Sequence, residues 1–470
     1  MSIEKFDLVV IGGGPAGHKA SIQAAKVGKR VLLVDRQKAV GGECVHRGTI
    51  PSKTLRETAL GMRNVGRLAP DLVGSTLAGD MKVTSLMRSL DSVRDAHAEF
   101  MGEQLNRNGI VRWRGRAQFV SEHELTVRGP DRSERRVWAD HVLIATGSRP
   151  RCPDNIPVDH ENILDSDSIL SLIYLPQSMT VIGSGVVACE FATIFAALGV
   201  QVTIIDRFER PLGFMDAELV DRFLSSFVQM GGTFLPNRKI ESVTWDGFSK
   251  VEARLDTGEM ISAEKMFVAA GRIACVKGLG LEHTNVELSE RGTIVVDEFC
   301  QTASPHIYAA GDAIGPPALA AASMEQGRRA VLHAFDLPVP PSSSCLPIGI
   351  YTIPEMASVG MTEEQAIAEH GDVLTGQSAF GELARGQICG DTEGLLKLVS
   401  DPTGKKLLGA HIVGHGATEL IHVAQMAIMS GANIDTFVDS IFNFPTMAEG
   451  YRVAAIKIVQ ARRMSLRKAG

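Results

Sequence analysis

The hydrophobic pattern of the chain repeats itself. Residues 7–36 run as an apolar stretch (Leu8-Val9-Val10-Ile11), a glycine-rich turn, a helical stretch and a second apolar stretch (Val31-Leu32-Leu33-Val34) closed by Asp35. Residues 178–207 follow the same order, from Thr180-Val181-Ile182 through Gly183-Ser184-Gly185 to Val202-Thr203-Ile204-Ile205-Asp206. Short apolar runs bounded by turn residues predict buried strands, and strand–turn–helix–strand order predicts a parallel pair joined by a crossover helix.

Between the two copies, residues 53–108 predict mainly helix, with Leu86, Leu90, Val93, His97 and Phe100 as a core-facing stripe and His97 as a packed residue. Residues 110–147 predict β structure ending in the strand from Val142 towards Pro150, and a second β-rich run ends at Met266–Arg272 with the same strand-then-glycine pattern. These matching endings predict the points where the chain enters and leaves an inserted domain. Residues 300–312 return to a buried strand with Asp312 at its carboxyl end, the edge where α/β folds bind ligands. The Pro- and Ser-rich segment 336–347 predicts a linker, and 348–470 predicts an α+β unit. The expected fold class is α/β. Two Rossmann-like dinucleotide-binding domains, 1–148 with 273–345 and then 149–272, precede a C-terminal α+β domain at 346–470.

Composition narrows the function. The 470 residues are 44% hydrophobic and 22% charged, ample for buried cores. A net charge of −6 and a pI near 6.1 argue against nucleic acid or a membrane surface as the main partner. The basic residues Arg462, Arg463, Arg467 and Lys468 predict a solvated, frayed end. No cationic segment leads into an apolar one at the N-terminus, no apolar run reaches membrane-spanning length, and the seven cysteines form no CxxC pair. A cytoplasmic location is expected.

Each repeat carries a dinucleotide fingerprint. Asp35 follows Gly12 by 23 residues and Asp206 follows Gly183 by the same 23. The first glycine makes the tight turn, and the second (Gly14, Gly185) lets a pyrophosphate reach the helix N-terminus. The third position (Gly17, Ala188) must be small so that helix packs on strand. One such motif is weak evidence; two with identical spacing are strong evidence for two dinucleotides.

Residues 41–53, Gly-Gly-Glu-Cys-Val-His-Arg-Gly-Thr-Ile-Pro-Ser-Lys, add chemistry. Gly41 and Gly42 let the backbone approach a ligand, Pro51 suits a first helical turn, and Lys53 puts a cation one turn further on. The run resembles the active-site segment of the FAD-dependent pyridine nucleotide–disulfide oxidoreductases, where two cysteines five apart precede Pro-Ser-Lys. Cys44 takes the first place and Thr49 the second, so no disulfide can form there. The resemblance extends over Gly115–Phe119, Ala145–Pro150, the second fingerprint with Glu190, Thr302–Asp312, Ile353–Gly360 and Asn443–Glu449. The family's C-terminal signature has a histidine before Pro-Thr and a glutamate four residues after that proline. Here Phe444 replaces the histidine and Glu449 remains. With the dithiol and its proton shuttle both missing, the pattern is most similar to the soluble, energy-independent pyridine nucleotide transhydrogenases.

The resemblance implies FAD at Gly12, Gly14, Pro15, Ala16, Gly17, Asp35, Arg36, Gly42, Lys53, Ala117, Ala145, Thr146, Gly147, Gly311 and Asp312. It implies NAD(H) or NADP(H) at Gly183, Gly185, Val186, Asp206, Arg207, Arg210, Gly271 and Arg272. Val186 stands where many relatives carry a tyrosine over the nicotinamide pocket. Lys53 and Glu190 are expected to form a buried ion pair beside the flavin, with Cys44, Thr49 and Glu449 as the other candidate catalytic residues. The third domain would make a homodimer, and the chemistry needs no metal. The implied reaction passes hydride between NADPH and NAD⁺ through flavin N5. Two readings compete with it: an NAD(P)H diaphorase or oxidase delivering electrons to a quinone or oxygen, and a non-catalytic flavoprotein binding partner. A lipoamide-type reductase fits least well, because Thr49 and Phe444 remove both essential groups.

Overall fold

The computed structural model describes residues 3–68, 83–341 and 345–469. The first apolar pattern builds a sheet in the order Val111–Arg114, Val31–Asp35, Glu4–Ile11, Glu134–Ile144, Glu124–Arg128, Arg116–Phe119. Glu134–Ile144 changes neighbours along its length. Its start pairs antiparallel with Glu124–Arg128, while its apolar end runs parallel to both Glu4–Ile11 and Ile307–Ala309. The strand thereby joins a surface hairpin to a buried parallel core, whose residues Val9, Leu32, Val142 and Ile307 are fully enclosed.

The second repeat builds a parallel sheet ordered Thr233–Leu235, Gln201–Ile205, Ser178–Ile182, Lys265–Val268, Ile163–Leu164, beside a three-stranded antiparallel sheet. The chain passes between the first two sheets along Ser148–Pro150 and Arg272–Ala274, and these two segments pair with each other antiparallel. The remaining sheet is antiparallel, ordered Ile348–Ile350, Met356–Gly360, Leu407–Val413, Leu395–Ser400, Leu374–Ala379. The helices Ala417–Met429, Ile434–Asp439 and Glu449–Ala469 share its apolar core, centred on Phe380, Phe437 and Tyr451. The fold is α/β with an α+β C-terminal part. No helix among the described residues is long and apolar enough to cross a membrane.

Two local expectations need correcting. In the helix Val83–Arg107 the buried apolar side chains among the described residues are Leu90, Ala98, Met101 and Leu105, while Val93 and Phe100 are exposed. The bulkiest apolar side chains suggested a face that, apart from Leu90, is not the packed one; small Ala98 permits close approach on the other side. The side chain of Leu86 lies outside the described residues. The basic end is not frayed at Arg462, which makes two hydrogen bonds to the Asp435 carboxylate within a helix that continues to Ala469.

Candidate active site

A continuous cavity of about 1450 Å³ runs from the first fingerprint to the third sheet. That volume exceeds the range of ordinary small-ligand pockets. Its floor is the turn into the helix Pro15–Lys26, which has Gly14 at its N-cap, proline at its start and no side chain capping the free N–H groups. Those groups and the helix dipole favour an anion there. Gly12 has φ +109°, and a Cβ on it would lie 2.2 Å from the Ala145 carbonyl oxygen. A Cβ on Gly17 would meet the Gly12 oxygen at 1.9 Å, so the third glycine serves packing, as its motif requires. A Cβ on Gly42 would strike Gly14 at 2.8 Å, so the two glycine loops pack against each other at the cavity wall.

The polar groups around this floor are organised. Asp35 Oδ2 accepts the Gly13 N–H at 2.6 Å and Oδ1 accepts the Gln37 N–H at 2.8 Å. Asp312 accepts from the Ser148 hydroxyl at 2.5 Å, and Gln326 accepts the Gly311 N–H at 2.9 Å. The Thr146 hydroxyl and Glu43 Oε2 are buried without a hydrogen-bond partner, and both residues line the cavity. Buried polar atoms of this kind are normally paired, so the wall fits a polar ligand such as the dinucleotide expected here. Pro15, Ala16, Arg36, Ala117, Ala145 and Gly147 also line the cavity.

Lys53 and Glu190 meet across it. The Lys53 ammonium lies 2.6 Å from Glu190 Oε2, and the Tyr351 N–H donates to Oε1 at 2.9 Å. Lys53 also sits 4.9 Å from the centre of the Tyr351 ring. The expected ion pair is therefore present, with Glu190 almost fully buried and Lys53 partly open to the cavity. Cys44 and Thr49 line the cavity within hydrogen-bonding reach of each other. Burial pushes the Cys44 thiol up, outweighing the hydrogen bond to Thr49 and the Lys53 charge that favour the thiolate.

The second fingerprint shares the geometry of the first. Gly183 has φ +100°, and a Cβ on it would lie 2.6 Å from the Ala269 oxygen. Gly185, Val186 and Gly271 line the cavity beside Glu190, whereas Gly183, Asp206, Arg207 and Arg210 lie beyond it. Asp206 accepts from the Ser184 hydroxyl at 2.6 Å. The Arg207 guanidinium stacks on Phe208 at 4.7 Å, and Arg210 pairs with Glu364 of the third unit at 3.3 Å. Arg272 donates from Nε to the Ser148 hydroxyl at 2.7 Å and from Nη2 to the Ser148 carbonyl at 2.9 Å, tying the two interdomain segments together.

Residues 6–327 match the family described as pyridine nucleotide-disulphide oxidoreductase, and residues 346–455 match its dimerisation domain. The chain belongs to this family. Among curated relatives, it is 40% identical over 464 residues to the soluble pyridine nucleotide transhydrogenase of Mycobacterium bovis (strain BCG / Pasteur 1173P2), covering 98% of each chain. It is 40% identical over 463 residues to the soluble pyridine nucleotide transhydrogenase of Chromohalobacter salexigens, covering 97% of this chain and 98% of the relative. Among solved structures, it is similar to LpdA from Mycobacterium tuberculosis, at 27% identity and a TM-score of 0.89 over 97% of this chain and 100% of that one. The Cu(II) complex of the HOCl-induced flavoprotein disulfide reductase RclA from Escherichia coli gives 25% identity and a TM-score of 0.88, over 97% and 99%. The protein is an oxidoreductase.

Glu449 does not line the cavity; its carboxylate accepts the Thr446 N–H at 3.3 Å within its own segment, which also holds Phe444, 75% exposed. Within a single chain it is not brought together with Lys53, Glu190, Cys44 and Thr49. Sequence reasoning missed Tyr351 and Arg56. Buried Arg56 donates to the Thr352 carbonyl at 3.1 Å and pairs with Glu355 at 3.0 Å, fixing the segment that delivers Tyr351. Arg56 follows Lys53 by one helical turn, which was the available signal.

Proposed function

We propose that this oxidoreductase is an FAD-dependent transhydrogenase, moving hydride between NADPH and NAD⁺ without a redox disulfide. The single observation that carries the reading is the cavity that joins the first fingerprint to Gly185, Val186 and the Lys53–Glu190 pair, with Thr49 at the second cysteine position. The proposed domains are 1–148 with 273–345 for FAD, 149–272 for NAD(P) and 346–470 for dimerisation. When bound, FAD supplies an N5 that can accept and return a hydride.

The chain's own residues bind, orient and polarise. The uncapped helix at Gly14 would hold the pyrophosphate, Asp35 the adenine ribose, and Asp312 a ribityl hydroxyl. Lys53, aimed by Glu190 and flanked by Tyr351, provides a fixed positive charge on the cavity wall where negative charge develops. Val186, smaller than a tyrosine, leaves the nicotinamide approach more open, which suits exchange of one nucleotide for another. Because only one further fingerprint is available, donor and acceptor would use the same pocket in turn. Neither Cys44 nor Glu449 is assigned a proton or electron in this scheme. The protein would act as a homodimer, consistent with exposed Val423, Met426, Met429, Ile441 and Phe444 on the third unit.

The test is an anaerobic assay of NADPH-to-thio-NAD⁺ transfer by the purified protein with no dithiol present. Transfer under these conditions supports the reading. NADPH consumption that occurs only with oxygen or a quinone would replace it with a diaphorase or oxidase.

A further inference from the structure

We propose that the outer end of the cofactor cavity carries a second anion site, for a ligand with two or more phosphate groups, formed by Arg36, Arg47, Arg114, Arg116 and Arg128. These five residues line a groove of about 480 Å³ that adjoins the cofactor cavity, whose own wall includes Arg36, Arg47, Arg116 and Arg128, and no carboxylate is among the groove's lining residues. On a chain of net charge −6, such a concentration of one sign focuses a positive potential at one place.

The groove is fixed to the first fingerprint. The Gly115 N–H donates to the Asp35 carbonyl at 2.8 Å, which holds Arg114 and Arg116 on either side of it. A Cβ on Gly115 would lie 2.7 Å from the Arg128 carbonyl oxygen, so the neighbouring strand brings Arg128 alongside. Among the described residues, Arg114 and Arg116 form no ion pair. Arg36 pairs with Glu43 at 3.4 Å, Arg47 with Asp167 at 3.1 Å, and Arg128 with Glu134 at 2.6 Å. The Arg128–Glu134 pair is exposed and such a pair contributes only about 0–1 kcal/mol, while Arg36 and Arg47 are exposed and their carboxylate partners partly buried, so the guanidinium groups can still turn to a ligand.

The argument from charge rests on the FAD reading. FAD's two phosphates belong at Gly12–Gly14 and its ribose diol at Asp35, so the end of the cofactor nearest Arg114 and Arg116 is the neutral adenine. Arg114 and Arg116 there have neither a carboxylate partner among the described residues nor a cofactor charge to answer. Their forked donors match phosphate oxygens, and no aromatic side chain lines the groove to stack a base.

The experiment is calorimetric titration of the holoprotein, saturated with NAD⁺ so that the second fingerprint is filled, with inorganic pyrophosphate, ADP and adenosine. Pyrophosphate and ADP should bind and adenosine should not, with affinity falling as salt is raised. Equal binding of the first two marks phosphate alone as the recognised group; tighter ADP marks a nucleotide. Arg114→Gln/Arg116→Gln should weaken both by at least tenfold at unchanged flavin absorbance per chain, and Arg128→Gln should act in the same direction. Arg112→Gln, an exposed arginine outside the groove, should change nothing. Absence of binding, binding unaffected by the groove variants, or loss of flavin from them would overturn the proposal. A protein that purifies without flavin yet binds pyrophosphate through these arginines would refute the FAD reading and leave the anion site standing.

Discussion

The Lys53 ammonium and the Glu190 carboxylate lie 2.6 Å apart although 137 residues separate them in sequence. The two partners are not equivalent. Glu190 is 5% exposed and keeps only the Tyr351 N–H if Lys53 is removed, whereas the Lys53 side chain is 23% exposed and can reach water if Glu190 is removed. Stripping one partner from a buried pair costs about 3–5 kcal/mol, less where the survivor can rehydrate. Lys53→Met should therefore lower unfolding stability by about 3 kcal/mol, and Glu190→Gln by clearly less. Urea unfolding of both variants checks the order, and equal losses would show that Glu190 is not the stranded charge.

With Thr49 in place of a second thiol, and burial pushing the Cys44 thiol up, the protein should take two electrons per flavin and no more. Anaerobic dithionite titration measures this. Cys44→Ser should keep nucleotide-to-nucleotide transfer within about twofold, an energy change under about 0.5 kcal/mol. A stable long-wavelength charge-transfer band at the two-electron point would count against the assignment.

The proposed sharing of one nucleotide pocket would have a kinetic signature. Initial rates at several fixed NADPH concentrations should give parallel double-reciprocal lines, with each nucleotide inhibiting competitively when in excess. Lines that converge would mean that two nucleotides are bound together, and a second nucleotide site would then have to exist.

On the proposed reading, nucleotide choice should turn on Asp206, Arg207 and Arg210. A carboxylate at Asp206 suits the ribose diol of NAD and opposes a 2′-phosphate, while the two arginines can pair with that phosphate. Arg207→Glu/Arg210→Glu should weaken NADP(H) by tenfold or more, about 1.4 kcal/mol, with a much smaller effect on NAD(H). Dissociation constants for the four nucleotides decide it; equal losses would refute the assignment.

Lys397, 2% exposed, contacts Asp216 at 2.9 Å and Glu363 at 2.6 Å, binding the third sheet to the start of the helix Ala217–Gln229. Burial disfavours the Asp216 charge, but nearby His411, the Lys397 ammonium with its hydrogen bonds and the Glu363 N–H together outweigh this and hold the carboxyl below its ordinary 3.8. A group with a depressed folded-state value adds stability above its unfolded value and loses it as pH falls through the folded one. Wild-type stability should accordingly drop as pH falls below about 4, and Asp216→Asn should flatten that part of the profile while lowering stability at pH 7. Urea midpoints between pH 3 and 7 would show it.

How much of this was legible in the sequence depended on the range of the interaction. Gly12, Gly17 and Gly183 could be read because their role is set by the turn each occupies and by backbone atoms of the same unit. The Lys53–Glu190 pair could be anticipated only because both follow recognisable glycine turns. Arg210 could not be seen to pair with Glu364, 154 residues away, nor Tyr351 to grip Glu190, because neither contact leaves a periodic or spacing signal. Val93 and Phe100 misled for a related reason: helical spacing identifies an apolar stripe but not what packs against it. Glu449 could be recognised by its motif and still lie away from the cavity, since a motif does not say which chain's site it approaches.

The segment from Tyr351 to Glu355 belongs to the third sheet's side of the chain, yet its bonds reach into both fingerprint-bearing units. Tyr351 holds Glu190, Ile353 donates its N–H to the Thr193 hydroxyl at 3.1 Å, and Thr352 and Glu355 anchor Arg56. It works as a keystone: three separately built units are each held at the angle the others impose. A chain shortened to its first two units would keep every glycine of both fingerprints and still lose the alignment of Lys53, because the last brace on Glu190 would be gone.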